Sequence, residues 1–417
     1  MGVTRKELIA GGAVLALAGC GGKKPVAAAP APKGWAAVRA QFALAKGDRH
    51  FDAFLFAPHP KPVRDAIERH RKGLDAGANA YLHAHEAALD EAVAGAAAAY
   101  LGGQATTYAF VDSTTMGLAL VYRGLLQPGD EVVTTEHDHY ATHESLRLAG
   151  ADVRKVRLYD DPAQASAEPM IDALKAAVTD RTKVVAVTWV HSGTGVKLPL
   201  LKLRAALGNE IVLVVDAVHA LGVEPDPVDI HLCDVLVGGT HKWLGGPRGT
   251  GLIWSIKAWD KMTPVIPSFS RDSYFAWMQG QVLNPLDTDP GPLFTPGGYH
   301  SFEHRWALAQ AFEWQRGLGR QKVADRIHGL ATRLKDGLAE LPNVRLVTPR
   351  SAEVSAGIVC FEVDGMDAGQ VVERLQEKRI RASVTPYAVG YVRLGTSLHV
   401  DEADVDAALA AIKSLRG

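Results

Sequence analysis

The chain has 417 residues, 45 Lys and Arg against 46 Asp and Glu, a formal net charge of −1, and 47% hydrophobic residues. That is enough chain for a large core and two domains, with a soluble globular composition and no basic excess to suggest a nucleic-acid partner. Three cysteines, Cys20, Cys233 and Cys360, are too few and too scattered for a disulfide framework or a zinc site, so no metal is expected.

The chain begins with a basic Thr4-Arg5-Lys6 and an apolar stretch from Leu8 to Ala18, too short to span a bilayer comfortably. The stretch ends in Leu17-Ala18-Gly19-Cys20, which resembles a bacterial lipobox. Residues 1–20 are therefore expected to be an export signal, with Cys20 lipidated and the protein tethered to the cell envelope. The start also resembles a twin-arginine signal, with Lys6 where the second arginine would stand. Residues 21–34, rich in Pro, Ala and Gly, read as a linker.

Helices are expected over 35–44, 63–72 and 86–100, with a Pro-rich extended piece before the second. Tyr108 to Val111 reads as a strand. It feeds the turn Asp112-Ser113-Thr114-Thr115-Met116-Gly117 and a helix over 118–125. Such a turn serves equally as a plain N-cap or as an anion site built from free N–H groups and hydroxyls. The strand 131–135 delivers Glu136-His137-Asp138-His139-Tyr140, and the strand 183–190 delivers His191-Ser192-Gly193. An apolar run from Ile211 ends in Asp216, with His219 just beyond. A second ends in Gly238-Gly239 and presents His241 and Lys242. Continuous apolar runs with polar exits are what buried parallel strands look like, and ligands sit at their carboxyl ends. A lysine at such an exit can form a Schiff base and an acid there can neutralise a cationic ring, a pair that suits pyridoxal phosphate. Residues 255–300 are loop-rich. Helices over 302–314 and 320–341, a strand over 356–363, a helix over 368–378, a strand over 391–395 carrying Arg393, and a helix over 401–415 complete the chain.

Asp216-Ala217-Val218-His219-Ala220, Thr240-His241-Lys242-Trp243 and Gly246-Pro247-Arg248-Gly249-Thr250-Gly251 together resemble the class V aminotransferase family, in its isopenicillin N epimerase-like branch. The resemblance implies an α/β protein of the PLP-dependent fold-type I class. A large doubly wound, mainly parallel sheet domain would cover 76–300, and a smaller α+β domain 301–417, with 35–75 packing against the latter. It implies pyridoxal 5'-phosphate joined to Lys242, which also serves as general base. Asp216 would pair with the pyridinium nitrogen and His219 with the phenolate oxygen, Ser192 lying nearby. Thr114, Thr115 and His241 would take the phosphate. His137, with Tyr140 as the alternative, would cover the ring face. Arg393 would grip a substrate carboxylate. The Thr295-Pro296-Gly297 loop would reach the neighbouring subunit's phosphate, hence a homodimer. The substrate would be an amino acid or a derivative, altered at its α-carbon by epimerase-like or aminotransferase-like chemistry. A carbon–sulfur lyase or an inactive envelope scaffold are the alternatives. Residues 384–390 contain no cysteine, and on that ground a cysteine desulfurase is excluded.

Overall fold

The computed structural model describes residues 32–228, 232–283 and 288–415. The expected signal, Cys20 and most of the linker lie outside the described residues. Thirteen strands are present: β1 (Arg49–His50), β2 (Tyr108–Val111), β3 (Glu131–Thr135), β4 (Asp152–Val156), β5 (Thr182–Thr188), β6 (Val212–Asp216), β7 (Val235–Gly239), β8 (Gly251–Ser255), β9 (Val344–Leu346), β10 (Ile358–Val363), β11 (Ile380–Arg381), β12 (Ser383–Val384) and β13 (Val392–Gly395) among the described residues.

Seven of them form one sheet in the order β2-β8-β7-β6-β5-β3-β4. β8 runs antiparallel to both its neighbours and the other pairings are parallel. The alternation along each central strand explains why both faces are covered. Val185, Val187, Leu213 and Val215 point into one core, with helices Lys61–Leu101 and Phe302–Leu318. Val184, Ala186, Val212 and Val214 point into the opposite core, with helix Thr114–Leu125. A sheet buried on both faces needs apolar residues at consecutive positions, which is why these strands show no polar alternation. Gly117 lets the helix Thr114–Leu125 lie close on the sheet, because a Cβ there would meet Val237 at 2.6 Å.

A second sheet, antiparallel in the order β12-β13-β10-β9, carries Arg393 on β13. Its core is shared with helices Arg320–Ala339, Ala368–Glu377 and Glu402–Lys413. Cys233 and Cys360 are buried thiols.

Two expectations need amending. The helices expected over 63–72 and 86–100 are both longer: together they cover Lys61–Leu101 and meet at a kink at Gly77, whose backbone is not helical. Alanine extends each helix towards Gly77, where the backbone leaves the helical conformation. The helix Thr114–Leu125 starts four residues before the expected position, with Ser113 accepting the Met116 N–H as its cap.

Candidate active site

Four strand exits of the large sheet meet at one end. Asp216 closes β6, in register with Thr188 of β5 and Val237 of β7. It is buried, and its Oδ1 accepts the Val218 N–H at 3.0 Å. Burial pushes its carboxyl pKa upward, while the Val218 N–H and the Lys242 charge pull the other way. Lys242 lies just past β7. Burial drives its amine below the ordinary 10.5; Asp216 opposes that drop and Arg393 adds to it. A readily deprotonated amine is what nucleophilic attack on an aldehyde requires.

His219 lies with its Nε2 3.4 Å from Lys242 Nζ. The Trp243 indole N–H donates to its Nδ1 at 3.3 Å. An indole nitrogen can only donate, so Nδ1 carries the lone pair and the proton sits on Nε2. Burial, and then the Lys242 charge, hold this imidazole well below its usual pKa. His219 is therefore a neutral N–H donor aimed at the side of the site where Lys242 sits.

The helix Thr114–Leu125 begins beside β7. Thr114 Oγ1 accepts the Gly239 N–H at 2.8 Å, and Thr115 is exposed on the first turn. His241 Nδ1 is buried without a protein partner. A Cβ at Gly239 would stand 2.8 Å from the His241 ring and 3.0 Å from Thr114 Oγ1, so only glycine leaves this corner open. A helix N-terminus, a hydroxyl and an orphaned imidazole nitrogen make an anion cradle. A buried carboxylate, a depressed amine, a neutral N–H donor and that cradle match the pyridine nitrogen, aldehyde, ring oxygen and phosphate of pyridoxal phosphate, and the residues fit the group.

Arg393 approaches from the small sheet and is 1% exposed. Its Nη1 donates to the Ser192 carbonyl at 3.0 Å and also to Ser192 Oγ. Nε and Nη2 both donate to Ser383 Oγ at 3.2 Å. No carboxylate pairs with this guanidinium among the described residues. A buried cation answered only by neutral oxygens is an open seat for an anion.

Several residues sit differently from the expectation. Ser192, expected beside the phenolate, gives both its oxygens to Arg393 and so orients the guanidinium. One face of His137 is stacked on Tyr159 at 3.8 Å, and its Nε2 accepts the Leu158 N–H at 3.1 Å. His139 is instead the imidazole held down by burial and then by the charges of Lys242 and Arg393. Its Nδ1 accepts the Ala141 N–H and caps the helix Tyr140–Ala149, while Tyr140 is 72% exposed. Thr295 is not brought to Lys242 of its own chain: its hydroxyl donates to the Gly291 carbonyl and accepts the Phe110 N–H.

Two residues escaped the sequence reading. Asp138 is buried and accepts from Thr134 Oγ1, the Thr135 N–H and the Thr188 N–H, tying the exit of β3 to that of β5. That clamp turns His137 and His139 to different sides, yet an acid between two histidines looks like a solvated loop. Tyr387 packs on Gly193, where a Cβ would be 2.9 Å from its ring, and its ring lies 6.4 Å edge-on to His139. The aromatic after Thr385-Pro386 was its one signal.

The family model for class-V aminotransferases matches residues 57–407. The chain belongs to the class-V aminotransferase family. The isopenicillin N epimerase of Amycolatopsis lactamdurans is 26% identical over 415 residues, covering 91% of this chain and 98% of that protein. The probable cysteine desulfurase 2 of Mycobacterium leprae is 28% identical over 296 residues, 66% of this chain and 67% of that one. Among solved structures, a mutant of C-DES with glycine covalently linked to its PLP cofactor superposes with a TM-score of 0.81 at 20% identity, covering 91% of this chain and 99% of that one. The cysteine desulfurase of Thermococcus onnurineus NA1 gives 0.77 at 22% identity, with 93% and 98% covered. The fold is that of the PLP-dependent fold-type I class, and pyridoxal 5'-phosphate is the cofactor of this class-V enzyme.

The exclusion of a cysteine desulfurase does not stand. Named desulfurases are among the relatives of this class-V chain, from Mycobacterium leprae and, at 23% identity over 413 residues, from Vibrio cholerae. The physical reason is that one cysteine-free loop speaks only for that loop, whereas the similarity runs through the sheet and the lysine turn.

Proposed function

We propose that the protein moves a proton at the α-carbon of an amino acid, with an epimerase-like or aminotransferase-like outcome. The observation that carries this is Arg393, a buried guanidinium without an acid partner, facing the same bay as a lysine whose amine is easily deprotonated. A carboxylate seated on Arg393 would fix one end of the substrate. Pyridoxal phosphate, when bound, supplies a cationic ring that takes up the electron pair left at the α-carbon. Asp216 would hold the ring nitrogen in its charged form through its carboxylate. His219 would donate its Nε2–H to the ring oxygen, in the tautomer that Trp243 imposes. Lys242, as a free amine, takes the α-proton and returns it. His139, whose imidazole feels the charges of Lys242 and Arg393, would cover the ring face. The likeness to isopenicillin N epimerase over 98% of that protein supports the epimerase-like outcome. Relatives named as cysteine desulfurases favour a second reading, cleavage of a carbon–sulfur bond.

The test is to mix the cofactor-loaded protein with a panel of L-amino acids in deuterated water. Deuterium entering the α-position with inversion supports the epimerase-like outcome, and keto-acid formation with an amine acceptor the transaminase-like one. Release of sulfur or pyruvate supports the second reading, and no α-chemistry with any amino acid rejects both. Proton removal needs the neutral amine, so the exchange rate should rise with pH and reach half its plateau below pH 10.5, the ordinary lysine value. A half-point at or above that value would contradict Lys242 as the base.

A further inference from the structure

Residues 51–57 form a strap that the sequence reading left without a role, and it touches both ends of the site. The Phe51 N–H donates to the Arg381 carbonyl at 3.0 Å, and the Phe51 carbonyl accepts the Gly395 N–H at 2.7 Å. Further along, the Ala57 N–H donates to the His241 carbonyl at 3.0 Å. Between these anchors Phe54 is fully buried, with its ring 4.1 Å from the Arg393 guanidinium carbon. The other guanidinium–ring contacts among the described residues run from 5.0 to 5.6 Å. Room for the ring is made on β13 itself. A Cβ at Gly395 would stand 2.6 Å from Phe54 Cδ1, two residues from the arginine that the ring covers.

We propose that Phe54 is a positioning residue that holds the Arg393 fork for a substrate carboxylate. Ser192 and Ser383 hold the N–H edges of Arg393, but among the described residues no carboxylate faces it and neither serine covers its flat face. The aromatic face, locked from below by Gly395, supplies a fixed plane for a planar cation. It also stabilises the charge by its quadrupole without using up an N–H donor. An opposing acid would fix the guanidinium equally well but would occupy the seat that the substrate needs. The inference rests on reading Arg393 as the carboxylate seat.

The test uses cofactor-loaded protein and two probes, L-alanine and ethylamine, which has no carboxylate. Each is titrated against the absorbance of the bound cofactor. Phe54→Leu should weaken L-alanine roughly tenfold and leave ethylamine within about twofold. Phe54→Tyr, which keeps the ring, should restore L-alanine binding to within about twofold of wild type. Should the leucine variant fail to fold by thermal melting, trifluorophenylalanine at position 54 keeps the shape and drains the ring face. It should weaken L-alanine selectively in the same direction. If L-alanine is unaffected, or both probes weaken together, Phe54 only fills space and the proposal fails. Arg393→Ala separates the two layers. If it abolishes the preference for L-alanine while the Phe54 variants leave that preference unchanged, Phe54 alone is misassigned. If it leaves the preference intact, the carboxylate seat is misassigned and the role of Phe54 falls with it.

Discussion

Lys242→Ala is expected to give a folded protein that binds pyridoxal phosphate reversibly, shows no borohydride-fixable link to it, and exchanges α-protons more than roughly a thousandfold more slowly than wild type. The size follows from two losses at once. Among the described residues the amine is the one nucleophile beside Asp216 and His219, and in the proposed reaction it is also the base. General base catalysis alone contributes about 10²–10⁴ in rate. Folding should survive, because among the described residues the amine's one hydrogen bond is the 3.4 Å contact to His219 and its burial costs desolvation. The cradle at the start of the helix Thr114–Leu125 and the Asp216 carboxylate remain to hold the phosphate and the ring. Exchange by this variant within tenfold of wild type would show that another base does the work.

Asp216→Asn should separate charge from shape. The amide oxygen can still accept the Val218 N–H, so the turn after β6 is preserved. The lost negative charge is what keeps a ring nitrogen protonated. Two unit charges about 4 Å apart attract by about 4 kcal/mol at an effective dielectric of ~20, and that is roughly a thousandfold in rate if the ring cation is needed throughout. Stability should move the opposite way. Burial raises the folded pKa of Asp216 above its ordinary 3.8, so the folded state binds more protons than the unfolded chain between those values. The contribution of Asp216 to stability is therefore fully present below pH 3.8 and is lost as pH rises through the folded pKa. In the absence of cofactor, the variant's melting temperature should gain on that of the wild type as pH rises from acid to neutral. A variant that keeps full exchange activity, or whose melting temperature falls behind over that range, would contradict the assigned role.

How much of this was legible in the sequence depended on whether a signal was local. The large sheet could be read because its strands are buried on both faces, so β5, β6 and β7 appear as unbroken apolar runs ending in polar residues. Asp216, His219 and Lys242 share two such exits, and the structure brings them together. What failed to show depends on which way a side chain turns after its strand ends. His137 and His139 are two residues apart on one loop, and it is Asp138, bonded across to β5, that sorts them. Ser192 lies at the expected exit, yet its oxygens turn to an arginine 201 positions away. Phe54 is one aromatic in an apolar stretch. Its meaning comes from Gly395, on a strand some 340 residues later, and nothing in either local sequence pairs them. The desulfurase exclusion erred in the opposite direction, by letting one cysteine-free loop outweigh a similarity distributed along the chain.

The central claim is that the amine of Lys242 bonds to the cofactor in a site whose ring end is Asp216. Borohydride reduction of the cofactor-loaded protein, followed by proteolysis and mass mapping, tests it most directly. One pyridoxyl phosphate on the peptide containing Lys242, absent from the Lys242→Ala protein, is the predicted result. A stable adduct on any other lysine, or none on a protein that binds the cofactor tightly, would contradict it.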